Sequence, residues 1–123
     1  EVQNITSEAA DSVTREGNYW GAAAYGTKVH TAIKNEVNGR RDPNFRAEIS
    51  FEKSKVVNYG DKNSIRVDVL ENVGDGNVCV YDVKTGKSIL TRARMIEIAR
   101  NVHSSYPGTK KIIVIETRPN PGR

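Results

Sequence analysis

A chain of 123 residues, 37% hydrophobic and 28% charged, has the size and make-up of one globular domain. It holds no run near the roughly 20 apolar residues of a bilayer-spanning helix, and its single cysteine, Cys79, excludes an internal disulfide framework. A net charge of +4, with an isoelectric point near 9.3, is compatible with a polyanionic partner.

The chain opens on Glu1-Val-Gln-Asn, with no methionine, basic start or apolar run, as a piece of a longer protein would. Residues 1–26 lack clear periodicity and read as an N-terminal extension packed on, or leading into, a core domain at 27–123. Within the extension, Ser7 to Arg15 suits a short helix capped by Thr6 or Ser7. The glycine- and aromatic-rich stretch Asn18 to Gly26 suits an irregular docking segment, its Trp20 and Tyr25 completing the core.

From Thr27 the pattern turns helical, with Val29, Ile33 and Val37 spaced by four and Asn38-Gly39 as the stop. Arg40 to Pro43 is a loop. Phe45 to Glu52 then alternates apolar Phe45, Ala47, Ile49 and Phe51 with polar Arg46, Glu48, Ser50 and Glu52, which is strand periodicity. Asn58 to Asn63 is turn chemistry. Ser64 to Leu70 and Val78 to Lys84 are two further strands, joined by a hairpin turn at 74–77. A helix from about Thr91 to Ser104 carries Ala93, Ile96, Ala99, Arg100 and Val102 on or near one stripe, with Arg92, Arg94 and Glu97 off its centre. Lys111 to Glu116 is a nearly unbroken apolar run, as in a strand buried on both faces. The fold class is therefore α/β (α+β): a mixed central sheet with flanking helices, in the core order α-β-β-β-α-β.

Three charges sit inside these apolar strands. Asp68 lies between Val67 and Val69, and Asp82 and Lys84 lie on one face of the next strand, ~7 Å apart along it. A turn at 74–77 makes Asp68 and Asp82 near cross-strand neighbours. Two ionised carboxylates that close repel unless a cation lies between them. Mg²⁺ or Mn²⁺ suits such oxygen ligands, with Zn²⁺ a further option. A divalent ion can lower the pKa of a bound water and stabilise charge on a phosphate oxygen, and Lys84 would position that water or neutralise developing charge. The competing reading is a cross-strand salt bridge between Asp68 and Lys84, with Asp82 facing solvent.

The element order together with Asp68 and Asp82-Val-Lys84 resembles the PD-(D/E)xK nuclease superfamily, the restriction-endonuclease-like fold. Its motif proline is replaced here by Val67. The resemblance covers about residues 27–117 and implies a metal-dependent nuclease in which Asp68, Asp82 and Lys84 are catalytic. A glutamate from the first helix or first strand often joins such a site, and Glu36 and Glu48 are the two candidates, Glu48 being the one assigned to the metal. The segments Gly26-Thr-Lys-Val-His30, Ala47-Glu-Ile-Ser-Phe51, Val80-Tyr-Asp-Val-Lys-Thr-Gly86 and Ile115-Glu-Thr-Arg-Pro119 look like the C-terminal toxin domains of bacterial polymorphic toxins of the contact-dependent-inhibition and Rhs types. That likeness implies a domain of a large secreted or cell-surface protein that acts in the cytoplasm of a competing bacterium. There it would cut DNA or tRNA, with DNA the default, and it would be neutralised by a cognate immunity protein.

Around this centre, Arg66 is a candidate for the scissile phosphate or a surface ion pair, and Thr85 and Lys87 for the nucleic-acid backbone. His30 would face the site or cap the core, and Arg92, Arg94 and Arg100 would form a basic helix face. The domain is expected to be a monomer. The alternative is a non-catalytic nucleic-acid- or protein-binding domain with the same fold. Retention of both aspartates and the lysine favours the enzyme.

Overall fold

A computed structural model describes residues 1–17, 19–52 and 64–119, so the turn chemistry at 58–63 lies outside the described residues. The order is α1 (Val2–Glu16), α2 (Gly21–Gly39), β1 (Phe45–Glu52), β2 (Ser64–Gly74), β3 (Asn77–Val83), α3 (Arg92–Ser105) and β4 (Lys111–Thr117). The strands form one mixed sheet in the order β1-β2-β3-β4, antiparallel across the first two pairs and parallel across the last. A parallel neighbour needs a crossover, and α3 supplies it. The expected mixed sheet with flanking helices is present, preceded by one more helix. At the hairpin, Asp75 and Gly76 have φ of 56° and 79°, as a tight two-residue turn between twisted strands requires.

Two apolar layers hold the sheet. On one face α1 and α2 place Val2, Ile5, Val13, Val29, Ile33 and Val37 against Phe45, Ala47, Val69 and Val83. On the other, Ile98 and Val102 of α3 cover Ile65, Val67, Leu70, Val78 and Val80.

Four expectations need correction. First, α1 starts at Val2, and Thr6 and Ser7 lie fully buried inside it instead of capping it. With Ala9 and Ala10 they keep that face of the helix small, so α1 is part of the core. Second, 21–26 is helical, and Trp20 is 92% exposed at the helix start, whereas Tyr25 packs on the core and meets Tyr19 edge-on at 5.0 Å. Third, the inward stripe of α3 is Ile98, Asn101 and Val102, while Met95 and Ile96 are exposed. Fourth, β4 is a sheet-edge strand with only one well-covered face: Ile112 and Val114 pack towards α3, and Ile113 and Ile115 are exposed.

Candidate active site at the fork between two strands

The strands β2 and β3 pair from the turn as far as Val69 opposite Tyr81, and there they part. One step further in register, Asp68 would face Asp82. Instead, Asp68 Oδ2 accepts the Val83 N–H at 2.7 Å, so a carboxylate stands where a strand carbonyl would otherwise be.

The same level of the sheet is kinked in β1. Residues two apart in a regular strand share a face, yet Ala47 joins the α1–α2 layer and Ile49 packs on the α3 layer. Between them Glu48 has φ 52°, a left-handed conformation that costs a residue with a Cβ roughly 1–2 kcal/mol. Val67 and Val69 split between the two layers in the same way. The result is that Glu48 and Asp68 both turn towards α2, where Glu48 pairs with Lys34 at 3.5 Å and Asp68 Oδ1 with His30 Nδ1 at 3.3 Å. Asn38 of α2 holds the kinked strand, its amide donating to the Ala47 carbonyl at 3.3 Å and accepting the Ala47 N–H at 2.9 Å.

Beyond the fork lies an open cavity of about 820 Å³. One wall is the start of α2, from Ala22 to Thr31, and the opposite wall is the loop Thr85–Ser88 that follows β3. Gly26 lets these walls meet closely: a Cβ there would lie 2.8 Å from Thr85 Oγ1, so that side chain would have to shift. Arg94 of α3 lines the cavity and donates to the Arg66 carbonyl at 3.0 Å. It reaches this place because it sits one turn before Ile98, on the side of α3 that faces the sheet.

Asp82 is 9% exposed, and its Oδ2 accepts no hydrogen bond. The Lys84 ammonium stands 3.2 Å from that oxygen as an ion pair without hydrogen-bond alignment. Burial pushes the Asp82 carboxyl above its ordinary pKa, against the pull of Lys84, and the nearby Asp68 charge adds to the rise. The His30 imidazole is held above its ordinary value chiefly by its hydrogen bond to Asp68, which outweighs desolvation. These pairings contradict the simple salt-bridge reading: Lys84 pairs with Asp82, Asp68 pairs with His30, and Asp82 is buried.

Asp68, Asp82, Lys84, Glu48, Arg66, Thr85, Lys87 and His30 all line the cavity. His30 faces the site and does not cap the core. Glu36 is not brought there; it is exposed on α2 and pairs with Arg40 at 3.2 Å. Of the three α3 arginines, Arg94 alone lines the cavity, and Arg92 and Arg100 are exposed elsewhere on the helix.

Sequence reasoning missed the clamp on the loop wall. Arg118 donates to the Gly86 carbonyl at 2.6 Å and to the Ser88 carbonyl at 2.5 Å, and pairs with Glu116 at 3.0 Å. Glu116 in turn accepts the Leu90 N–H at 2.6 Å, which holds its carboxyl below the usual range. Glu-Thr-Arg at the end of an apolar strand carried no local signal of that distant contact.

Among the described residues, no three His, Cys, Asp or Glu side chains are gathered as a ready metal site. The donor chemistry nonetheless suits a hard cation: Asp68 and Asp82 offer carboxylate oxygens, Glu48 lines the same cavity, and Asp82 Oδ2 is buried without a hydrogen bond. No family model, no curated protein and no solved structure matches the chain.

Proposed function

We propose that the cavity is the active site of a metal-dependent nuclease that hydrolyses phosphodiester bonds. The observation that carries this reading is the convergence of Asp68 with Asp82 and Lys84 at the strand fork, inside a cavity also lined by Arg66, Lys87 and Arg94. A divalent ion held by Asp68 and Asp82, with Glu48 beside them, would supply the positive charge that activates a water and offsets charge on the phosphate. Arg66 orients the phosphate from the sheet side, Arg94, held by Glu97 at 3.0 Å and by the Arg66 carbonyl, adds positive charge there, and Lys87 and Thr85 act from the loop. Lys84, 3.2 Å from Asp82, would with a divalent ion bound there be able to stabilise the negative charge that builds on the phosphate during attack. His30 holds Asp68 in its rotamer through the 3.3 Å contact, and the Val83 N–H holds the other oxygen.

Attack by an external water needs no 2′-hydroxyl, so the chemistry accepts DNA or tRNA. The likeness of the segments around the site to polymorphic-toxin domains supports a role in bacterial competition. On that reading the domain is delivered from a secreted or cell-surface protein into a competitor and is neutralised by an immunity protein, an acidic one complementing the basic chain. A second reading, a non-catalytic nucleic-acid-binding domain, is favoured by one observation: the Lys84–Asp82 ion pair balances both charges without a metal.

Cleavage of plasmid DNA and total tRNA with Mg²⁺, Mn²⁺ or Zn²⁺, against an EDTA control, separates the two. The enzyme cuts only with a divalent ion, and Asp82→Ala abolishes the cut. Binding without cleavage under every metal would establish the second reading.

A further inference from the structure

Trp20 breaks two local rules at once. It occupies the N-cap of α2 in an extended conformation, φ −116° and ψ 100°, with no side-chain hydrogen bond to the helix. N-caps favour Ser, Thr, Asp or Asn, whose side chains satisfy a free helix N–H. A large aromatic ring also gains most from burial, yet this one is 92% exposed. Residues that give up local stability in this way are expected where they act on something outside the fold.

Its position says what that is. Two residues further on, Ala22 lines the cavity, followed by Ala23, so the Trp20 backbone lies within ~7 Å of the cavity wall. Across the cavity stand Lys87 and Ser88, followed by Ile89, itself 68% exposed. The groove between the two rims carries four cations, Arg66, Lys84, Lys87 and Arg94, against three carboxylates, Glu48, Asp68 and Asp82, and the first turn of α2 adds no acidic residue. That surplus on a chain of net charge +4 favours a polyanionic strand, and an exposed indole offers what every nucleobase accepts, a flat π-face. Bases inside a duplex are stacked on one another and present only their edges, so such a ring engages an unpaired base.

We propose that Trp20 is a stacking platform for an unpaired nucleobase of a strand whose backbone enters the cavity, which makes the substrate class single-stranded or locally unpaired nucleic acid. The inference rests on the nuclease reading for its ligand but not for its test.

The chain contains one tryptophan, so its intrinsic emission reports on this ring alone. In EDTA, where no cleavage occurs, the parent is titrated with an unlabelled single-stranded oligonucleotide for emission and with an end-labelled one for anisotropy. Emission falls in step with binding, and a blunt duplex of the same sequence quenches far less. Trp20→Ala weakens single-strand binding roughly 5- to 150-fold, and Trp20→Phe recovers most of the loss. The exposed ring makes no core contact, so these variants fold, and unchanged midpoints of thermal unfolding check it. Full binding with unchanged emission, or parent affinity in Trp20→Ala, overturns the proposal. A change of the parent's emission with protein concentration alone, matched by a dimer in sedimentation that Trp20→Ala does not form, would assign the ring to contact with a second copy and also overturn it. If the quenching is seen and no metal yields cleavage, the nuclease reading fails while the stacking platform stands.

Discussion

The two ends of the β2–β3 pair are built on opposite principles. At the hairpin end, Asp75 and Gly76 take the positive φ values that the turn demands, and the strands pair up to it with one register shift between Asn72 and Gly74. At the fork end the strands part, Glu48 sits in a left-handed conformation that suits glycine better, and the carboxylate of Asp82 is buried against its own ionisation. The first end follows local rules and holds the fold together. The second departs from them in three neighbouring strands, and each departure turns a charged side chain into one cavity. Backbone strain and buried charge gathered at one level of a sheet are the physical marks of a site.

The comparison can be broken by exchanging the damage. Lys84→Ala or Asp68→Ala at the fork should lower nucleic-acid cleavage by about 10²–10³-fold or more, read as initial rates with a divalent metal, with the fold retained in circular dichroism. Gly76→Ala at the hairpin should do the reverse. Its φ of 79° disfavours a side chain and a Cβ would lie 2.8 Å from the Gly108 carbonyl oxygen, so urea denaturation should find a loss of about 1–3 kcal/mol. Its cleavage rate per folded molecule should stay at the parent's value.

A smaller effect belongs to the clamp on the loop wall. Arg118→Met removes the donors to Gly86 and Ser88, which should lower stability by about 1 kcal/mol. Hydrogen exchange at 85–90 should quicken, and KM should rise more than kcat falls, because Lys87 and Thr85 ride on that loop.

The smallest effect is in the pH dependence. His30 is raised above 6.5 in the fold, so the stability from its pair with Asp68 is complete below that pH. It is lost as pH rises through the higher folded value, and His30→Gln should flatten this part of the stability curve.

The charged centre was legible in the sequence because charged residues inside apolar strands stand out. Strand period and turn position bring Asp68 near Asp82 and Lys84 as cross-strand neighbours, but the parting of β2 from β3 at that level had no local signal. Glu48 was legible as the glutamate for the metal, but its left-handed φ was not, since it breaks the very alternation by which β1 is recognised. Other misreadings share a cause, which is packing that the local pattern does not encode. Ile98 and Ile96 look alike in a helix, and only the sheet decides that Ile98 faces inward and brings Arg94 with it. The run Lys111 to Glu116 is apolar throughout, yet its place at the sheet edge leaves Ile113 and Ile115 exposed. In α1, the buried Thr6 and Ser7 hid an inward face whose period ignores polarity.

The central claim is that the fork holds Asp82 at a cost to the fold. Its carboxyl is raised above 3.8, so the folded state holds this proton more tightly than the unfolded chain does, and stability falls as pH rises through the raised value. Replacing the buried charge with a neutral side chain of the same shape should remove that cost. The decisive measurement is the unfolding free energy of Asp82→Asn against the parent, by urea denaturation in EDTA at neutral pH. The variant should equal or exceed the parent in stability, whereas a loss above about 1 kcal/mol would mean that Asp82 is a structural ion-pair partner of Lys84 and contradict the account.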